Sequence, residues 1–215
     1  MIPVNVLAVR YLANASRALC RGLGAPETAP SLGLLTTDCD DATYIALDAA
    51  TKAAQVSVCY SRSFYAGASN ASTPNAGEVL GILCGSTPGA VRSGMEAALE
   101  ALRRLGFSEA GGVPYLAHTV SSVGTFLAAE AEIPVGSPLA YLIAPPLEGM
   151  YALDAALKAA DVKLCKLYTP PTETNFGGGL LIGTQSACDA ACAAFAEAVA
   201  EVAARPVEAP SQTDF

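Results

Sequence analysis

Residues 46–59 read ALDAATKAAQVSVC, and residues 152–165 read ALDAALKAADVKLC. Ten of the fourteen positions are identical at an offset of 152 − 46 = 106, close to half of the 215-residue chain. Alanine supplies only part of the agreement, because Leu47/Leu153, Asp48/Asp154, Lys52/Lys158, Val56/Val162 and Cys59/Cys165 match as well. A repeat of this period makes the chain two copies of one unit, each large enough to bury its own core. The expected domains are therefore residues 1–110 and 111–215. Each copy of the quoted stretch is a helix that runs into a strand.

Working outward from residue 46, the same order of elements is found twice. In the first copy, VNVLAVRYL (4–12) is an apolar strand, and ASRALCRGLG is a short helix-compatible stretch ended by Gly24 and Pro26. SLGLLTT (31–37) is a second strand. The acidic turn DCDDAT leads into the helix, where Asp41 or Thr43 is expected to cap and Asp48 to favour the positive end of the dipole. QVSVCYSRS alternates as a strand, the loop YAGASNASTPNAG (65–77) follows, and EVLGILCG (78–85) is the fourth strand. Ser86/Thr87 then cap an amphipathic helix with Pro88 in its first turn. The second copy runs GVPYLAHTV, SPLAYLIAPP, YALDAALKAA, DVKLCKLYT, the loop TPPTETNFGGG (169–179), LLIGT and a long alanine-rich helix. Short strands alternating with two helices that cover one face describe an α/β or α+β sandwich.

Composition narrows the function. Hydrophobic residues make up 52% of the chain at a mean hydropathy of +0.39. No uninterrupted apolar run reaches the length needed to cross a bilayer, and the N-terminus has no secretory pattern, so a soluble chain with the cytoplasm as its default compartment is expected. Net charge is 12 − 20 = −8, with no basic stripe to hold phosphates, which speaks against a nucleic-acid partner. The seven cysteines (20, 39, 59, 84, 165, 188 and 192) contain no CxxC pair and favour neither a disulfide framework nor a zinc site. Cys188 and Cys192 stand one helical turn apart, and packing on a helix face explains them more simply than a metal does.

Enzyme signatures fail. GGGLLIG lacks the spacing of a dinucleotide fingerprint, there is no Walker sequence, and any nucleophile–base pair would have to be built around His118, the single histidine, whose place on an apolar strand favours a structural or pore-facing role. The remaining candidates are acidic and borne on loops: Asp38, Asp40 and Asp41 crowd one turn, and Glu78 follows the glycine-rich loop that carries Tyr65. Carboxylates drawn together repel unless a cation sits between them, so such a group favours a small ammonium compound with an aromatic ring nearby. Helix capping by the aspartates and a solvated Glu78 explains the same residues equally well, and both readings stay open at this level.

SLGLLTT, ALDAATKAA, EVLGILCG and the helix beginning GAVRSG together resemble the bacterial microcompartment shell domain. The strand–helix segment that closes the usual domain comes first here (4–30 and 113–135), which is similar to the circularly permuted form. With TTDCDDATY, RSFYAGASNAS, AGEV, AYLIAPPLE and PPTETNF in place, the chain resembles the EutL-type family of ethanolamine-utilisation shell proteins over its whole length.

The resemblance implies a ferredoxin-like arrangement in each half, a four-stranded antiparallel sheet with helices. It further implies a homotrimer that closes as a pseudohexameric tile, packs against neighbouring tiles in the shell of a microcompartment within the cytoplasm, and catalyses nothing. Lys52 and Lys158 correspond to tile-edge lysines of the family. The loops 65–77 and 169–179 correspond to pore loops, with Asn175, Phe176, Gly177, Gly178 and Gly179 as the gate of a central pore. Asp40, Tyr65 and Glu78, with Phe107 and Thr174, fall where an ethanolamine site is expected. A sensor module of the same fold, binding ethanolamine or cobalamin, is the alternative. No motif supports cobalamin, and no cofactor, metal, membrane or nucleic-acid partner is expected.

Overall fold

The computed structural model describes residues 1–64 and 78–207. Its first strands are β1 (Ile2–Pro3) and β2 (Val6–Leu12), followed by α1 (Arg17–Gly22), β3 (Ser31–Thr37) and α2 (Asp40–Ala53). Next come β4 (Val56–Ser63), β5 (Val79–Gly85), α3 (Pro88–Leu102), β6 (Gly106–Ala110), β7 (Val113–Val120) and α4 (Thr125–Ala131). The chain closes with β8 (Leu139–Ala144), α5 (Pro146–Ala159), β9 (Val162–Tyr168), β10 (Gly177–Gly183) and α6 (Gln185–Ala204). The mixed α/β fold with antiparallel sheets agrees with the class read from the sequence.

Packing divides these elements into two compact units. The first holds Ile2–Gly106 together with Val120–Ser137, and the second holds Met1, Phe107–Thr119 and Pro138–Phe215. The repeat, cut at 110/111, assigns α4 to the second half, whereas α4 groups with the first unit.

In the first unit the strand order is β2-β3-β5-β4, antiparallel throughout. Alternation along β3 and β5 serves two layers. A Cβ placed on Gly33 would meet Val91 and Met95 of α3, and one on Gly81 would meet Leu47 of α2, so both helices press directly on this face of the sheet. The neighbouring residues Leu32, Ile82 and Cys84 pack with Ala15, Cys20 and Ala25 around α1. Helix α3 starts as its sequence predicts: Thr87 is the N-cap, its hydroxyl accepts from Ala90 N at 3.2 Å, and Pro88 follows at N1.

Helix α2 starts differently. Cys39 is its N-cap and makes no side-chain cap bond. Asp41 lies inside the first turn, and the Thr43 hydroxyl donates back to the Cys39 carbonyl at 2.7 Å, so neither expected cap acts as one.

The second unit repeats the pattern in β7-β8-β10-β9 and adds β6, antiparallel to β7, a strand the sequence reading did not expect. Its core joins Ala140, Leu142 and Leu181 of the sheet to Leu153 and Ala156 of α5 and to Cys188, Ala191, Phe195 and Val199 of α6. Cys188 is buried among these residues and Cys192 lies 3.4 Å from the Thr119 hydroxyl. Among the described residues no group of three His, Cys, Asp or Glu could hold a metal ion. No described helix is long and apolar enough to cross a membrane.

Candidate functional site

The acidic corner of the first unit is built where β3 runs into α2. Thr37 ends the strand, and its hydroxyl accepts from Cys39 N at 3.1 Å and pairs with the Thr43 hydroxyl at 2.7 Å, which fixes the turn. Asp38 faces outward and is held at both oxygens by Asn5, through its backbone N at 2.8 Å and its Nδ2 at 2.6 Å. Asp40 and Asp41 are buried in the first turn of α2, where the exposed amides of a helix start favour negative charge. Glu78 directly precedes β5, the strand between β3 and β4. Its N donates to Thr37 O at 2.8 Å and its O accepts from Phe64 N at 2.9 Å, so the backbone places it between the ends of β3 and β4.

The carboxylates act on one another. Burial raises the Glu78 pKa to about 7, and the neighbouring charges of Asp40 and then Asp38 push it in the same direction. The Cys39 thiol is pushed up chiefly by burial and then by Asp41, Asp40 and Glu78, which makes it a poor nucleophile. One turn along α2, the Tyr44 hydroxyl is hydrogen-bonded to Ser63 Oγ, and its ring lies 6.0 Å from that of Phe126. The structure thus brings Asp40 and Glu78 near enough for the charge of one to act on the other. Tyr65 lies outside the described residues.

A raised carboxyl pKa has a definite sign. Between its ordinary value of 4.5 and about 7, Glu78 keeps a proton in the folded chain that the unfolded chain has lost, so stability falls as pH rises through that window. Glu78→Gln is expected to stabilise the chain at pH ~8 by about 1 kcal/mol, a figure already reduced for solvent screening at a half-buried side chain, and to add nothing below pH ~4. Urea unfolding of both proteins at the two pH values measures this.

The expected pore-loop residues lie in the second unit. Phe107 on β6 and Phe176 meet edge to face with ring centroids 5.6 Å apart. The loop is tied internally: the Thr172 hydroxyl donates to Phe176 O at 2.7 Å, and Asn175 N donates to Thr172 O at 3.3 Å. Asn175 takes the left-handed conformation, φ 61°, which asparagine tolerates. Thr174 sits on the same turn. Gly177, Gly178 and Gly179, which the family resemblance assigns to the gate of a central pore, are the buried first residues of β10. A Cβ on Gly178, at φ 152°, would stand 1.9 Å from Leu142 O of β8, so glycine here permits close strand approach. Gly178→Ala is expected to cost about 3 kcal/mol, read as a lowered urea midpoint.

The two matched lysines have different surroundings. Lys158 reaches Asp154 Oδ2 at 2.6 Å on the exposed face of α5. Lys52 is tied inward, 3.3 Å from Asp48 Oδ2 and donating to Ser122 O at 2.7 Å. Asp48 is fully buried and accepts from Gly124 N at 2.7 Å and Leu127 N at 2.9 Å, while the Thr51 hydroxyl accepts from Thr125 N at 3.1 Å. Asp48 therefore does serve the positive end of a helix, that of α4 rather than of its own. The sequence reading missed this role, although one signal was present: Gly124, the N-cap of α4, has no side chain with which to cap.

These features can be set beside known proteins. A model of the BMC domain matches residues 31–113. Across 211 residues the chain is 56% identical to the bacterial microcompartment shell protein EutL of Clostridium perfringens, covering 96% of this chain and 97% of that protein. The chain belongs to the EutL family of bacterial microcompartment shell proteins. EutL of Escherichia coli is 46% identical over 212 residues, 97% of each chain. The crystal structure of the ethanolamine utilization protein EutL from Leptotrichia buccalis matches with a TM-score of 0.93 at 55% identity, over 97% of this chain and 98% of that one. EutL relatives are thus alike across both units, including the second, which lies almost wholly beyond the residues matched by the domain model.

Proposed function

We propose that this chain is a structural tile of the shell around an ethanolamine-utilising microcompartment, closing as a cyclic trimer whose six modules form a pseudohexamer. The observation that carries the reading is full-length identity of 46–56% to EutL shell proteins on a chain that is itself two copies of one module. Cyclic closure uses the near-equivalence of the two modules and leaves no free edge around the ring. Nothing in the described chemistry calls for catalysis, and burial pushes the Cys39 and Cys192 thiols up, away from reactivity.

The acidic corner is the small-molecule site in this reading. Ethanolamine carries a compact ammonium group for Asp40 and Glu78 and a hydroxyl for a neighbouring backbone or side-chain oxygen. Movement of the pore loop would be confined to residues 169–176, since Gly177–Gly179 are packed in β10.

Electron microscopy of the purified protein with and without ethanolamine tests the assembly. Threefold particles that associate into sheets are expected, and a monomer at every concentration overturns the tile. Calorimetry tests the ligand: wild type is expected to bind ethanolamine, and Asp40→Asn to weaken it by about tenfold or more through loss of one charged partner. Equal binding by the two proteins removes Asp40 from the site.

A further inference from the structure

Three of the seven cysteines belong to one apolar cluster of the first unit. Cys84 of β5 and Cys20 of α1 are buried there with Ala15, Ala25, Leu32 and Ile82, and the half-buried Cys59 of β4 packs against them. The β4–β5 ladder pairs Val58 with Leu83 and Tyr60 with Ile82, so Cys59 is the extra residue of a β-bulge. Its sulfur lies 3.5 Å from Ile82 O and within hydrogen-bond reach of the Cys84 thiol. That contact lowers the Cys84 pKa and raises that of Cys59, which burial raises further.

The second copy separates this arrangement from ordinary packing. Cys165, the mate of Cys59, is again skipped by its ladder, which pairs Leu164 with Leu181 and Lys166 with Leu180. Gly81 and Gly85 align with Gly179 and Gly183, so the mate of Cys84 is Ile182. The closing bonds Ala25 N to Cys20 O and Ile133 N to Ala128 O, both 2.9 Å, make Ala128 the mate of Cys20. The module thus folds with alanine and isoleucine in those two places, and the first copy alone sets a second thiol beside the bulge cysteine. Two thiols on neighbouring strands, already in hydrogen-bond reach, need only side-chain rotation and a small closure of the bulge to bring their sulfurs to about 2 Å.

We propose that Cys59 and Cys84 are a redox modification site, a thiol pair that hydrogen peroxide closes into a disulfide between β4 and β5 and that a dithiol reopens. The Cys84 sulfur, as thiolate, attacks one peroxide oxygen. The O–O bond breaks, Cys84 becomes a sulfenic acid, and the departing hydroxide takes up the proton that Cys84 gave up. The Cys59 sulfur then attacks the sulfenyl sulfur, the S–S bond forms, and the sulfenyl oxygen leaves as water with the Cys59 proton. Two thiols lose two electrons, and one peroxide gains them and becomes two waters. Peroxide is scarcely larger than water, which suits a pair formed by the edge strand β4 and its neighbour. In a reducing compartment such a link is transient and reports an oxidant. It also has a place to act, because it fixes the register of two strands whose other ends bring Phe64 N to Glu78 O at 2.9 Å beside the acidic corner.

The test treats the reduced full-length protein with a small excess of hydrogen peroxide, quenches it in acid, unfolds and alkylates it, and maps the peptides by mass spectrometry. Two of the seven thiols are expected to be lost to alkylation, with one disulfide joining Cys59 to Cys84, and both are expected to return after dithiothreitol. Cys165, at the same bulge of the second copy, is the internal control and is expected to stay alkylatable. Cys59→Ser and Cys84→Ser, changed by a single atom, are each expected to abolish the link, with circular dichroism to check the fold. If the buried hydroxyl of Cys84→Ser unfolds the chain, Cys84→Ala replaces it. Both thiols staying reduced, either one passing to a sulfinic acid without a link, or a link from either to Cys20 overturns the pair.

Discussion

Ethanolamine binding is expected to tighten about tenfold between pH ~6 and pH ~8 in the wild-type protein, and to stay flat over that range in Glu78→Gln. The Glu78 pKa is raised to about 7, so near pH 6 most molecules carry a proton on this carboxyl. An ammonium ligand requires the carboxylate, and releasing a proton one pH unit below the pKa costs about 1.4 kcal/mol, a factor of ten in affinity. The ligand stays a cation throughout, since an alkylammonium of the lysine kind titrates well above pH 8. Calorimetry in two buffers of different ionisation heat reads both the affinity and the proton released, about half a proton per site at pH ~7. A pH-independent affinity in wild type would remove Glu78 from the site.

A large stability effect is expected at Asp48. Replacing it by Ala leaves the amides of Gly124 and Leu127 without the carboxylate oxygens at 2.7 and 2.9 Å and deprives Lys52 of its partner. Two buried donors without acceptors cost on the order of 3 kcal/mol, which for a chain of this size lowers the unfolding midpoint by about 10 °C. Hydrogen exchange is the sharper measurement, because it locates the loss: protection should fall first in α4 and residues 120–137, while β3 and β5 keep theirs. Asp48→Asn retains one acceptor and should lose about half as much. An Asp48→Ala protein that melts with wild type would show that α4 is held by its apolar contacts alone.

Much of the fold could be read locally. The β3 boundaries are those of SLGLLTT, and the Thr87–Pro88 start of α3 is a cap whose donor and acceptor lie within three residues. Such features depend on neighbours in sequence and so are written there. The gate residues were harder. A run of three glycines permits a hinge, and it equally permits a strand pressed against its partner, and only the position of Leu142 O decides between them. The acidic corner was half legible: the crowding of Asp38, Asp40 and Asp41 is sequential, whereas the approach of Glu78 depends on a hydrogen bond to Thr37 across the sheet.

The sequence by itself determined the duplication, the order of the four main strands and the long helices within each copy, the acidic character and the family. Each follows from periodicity, spacing or identity, which a linear chain carries in full. Tertiary structure alone decided what the duplicated residues do. Asp48 and Asp154 stand in nearly the same words, yet one is buried under the amides of α4 and the other lies in solvent beside Lys158. The difference is made by a segment more than seventy residues from Asp48. Burial is a property of what packs against a residue, and the same residues packed differently have different charges to satisfy.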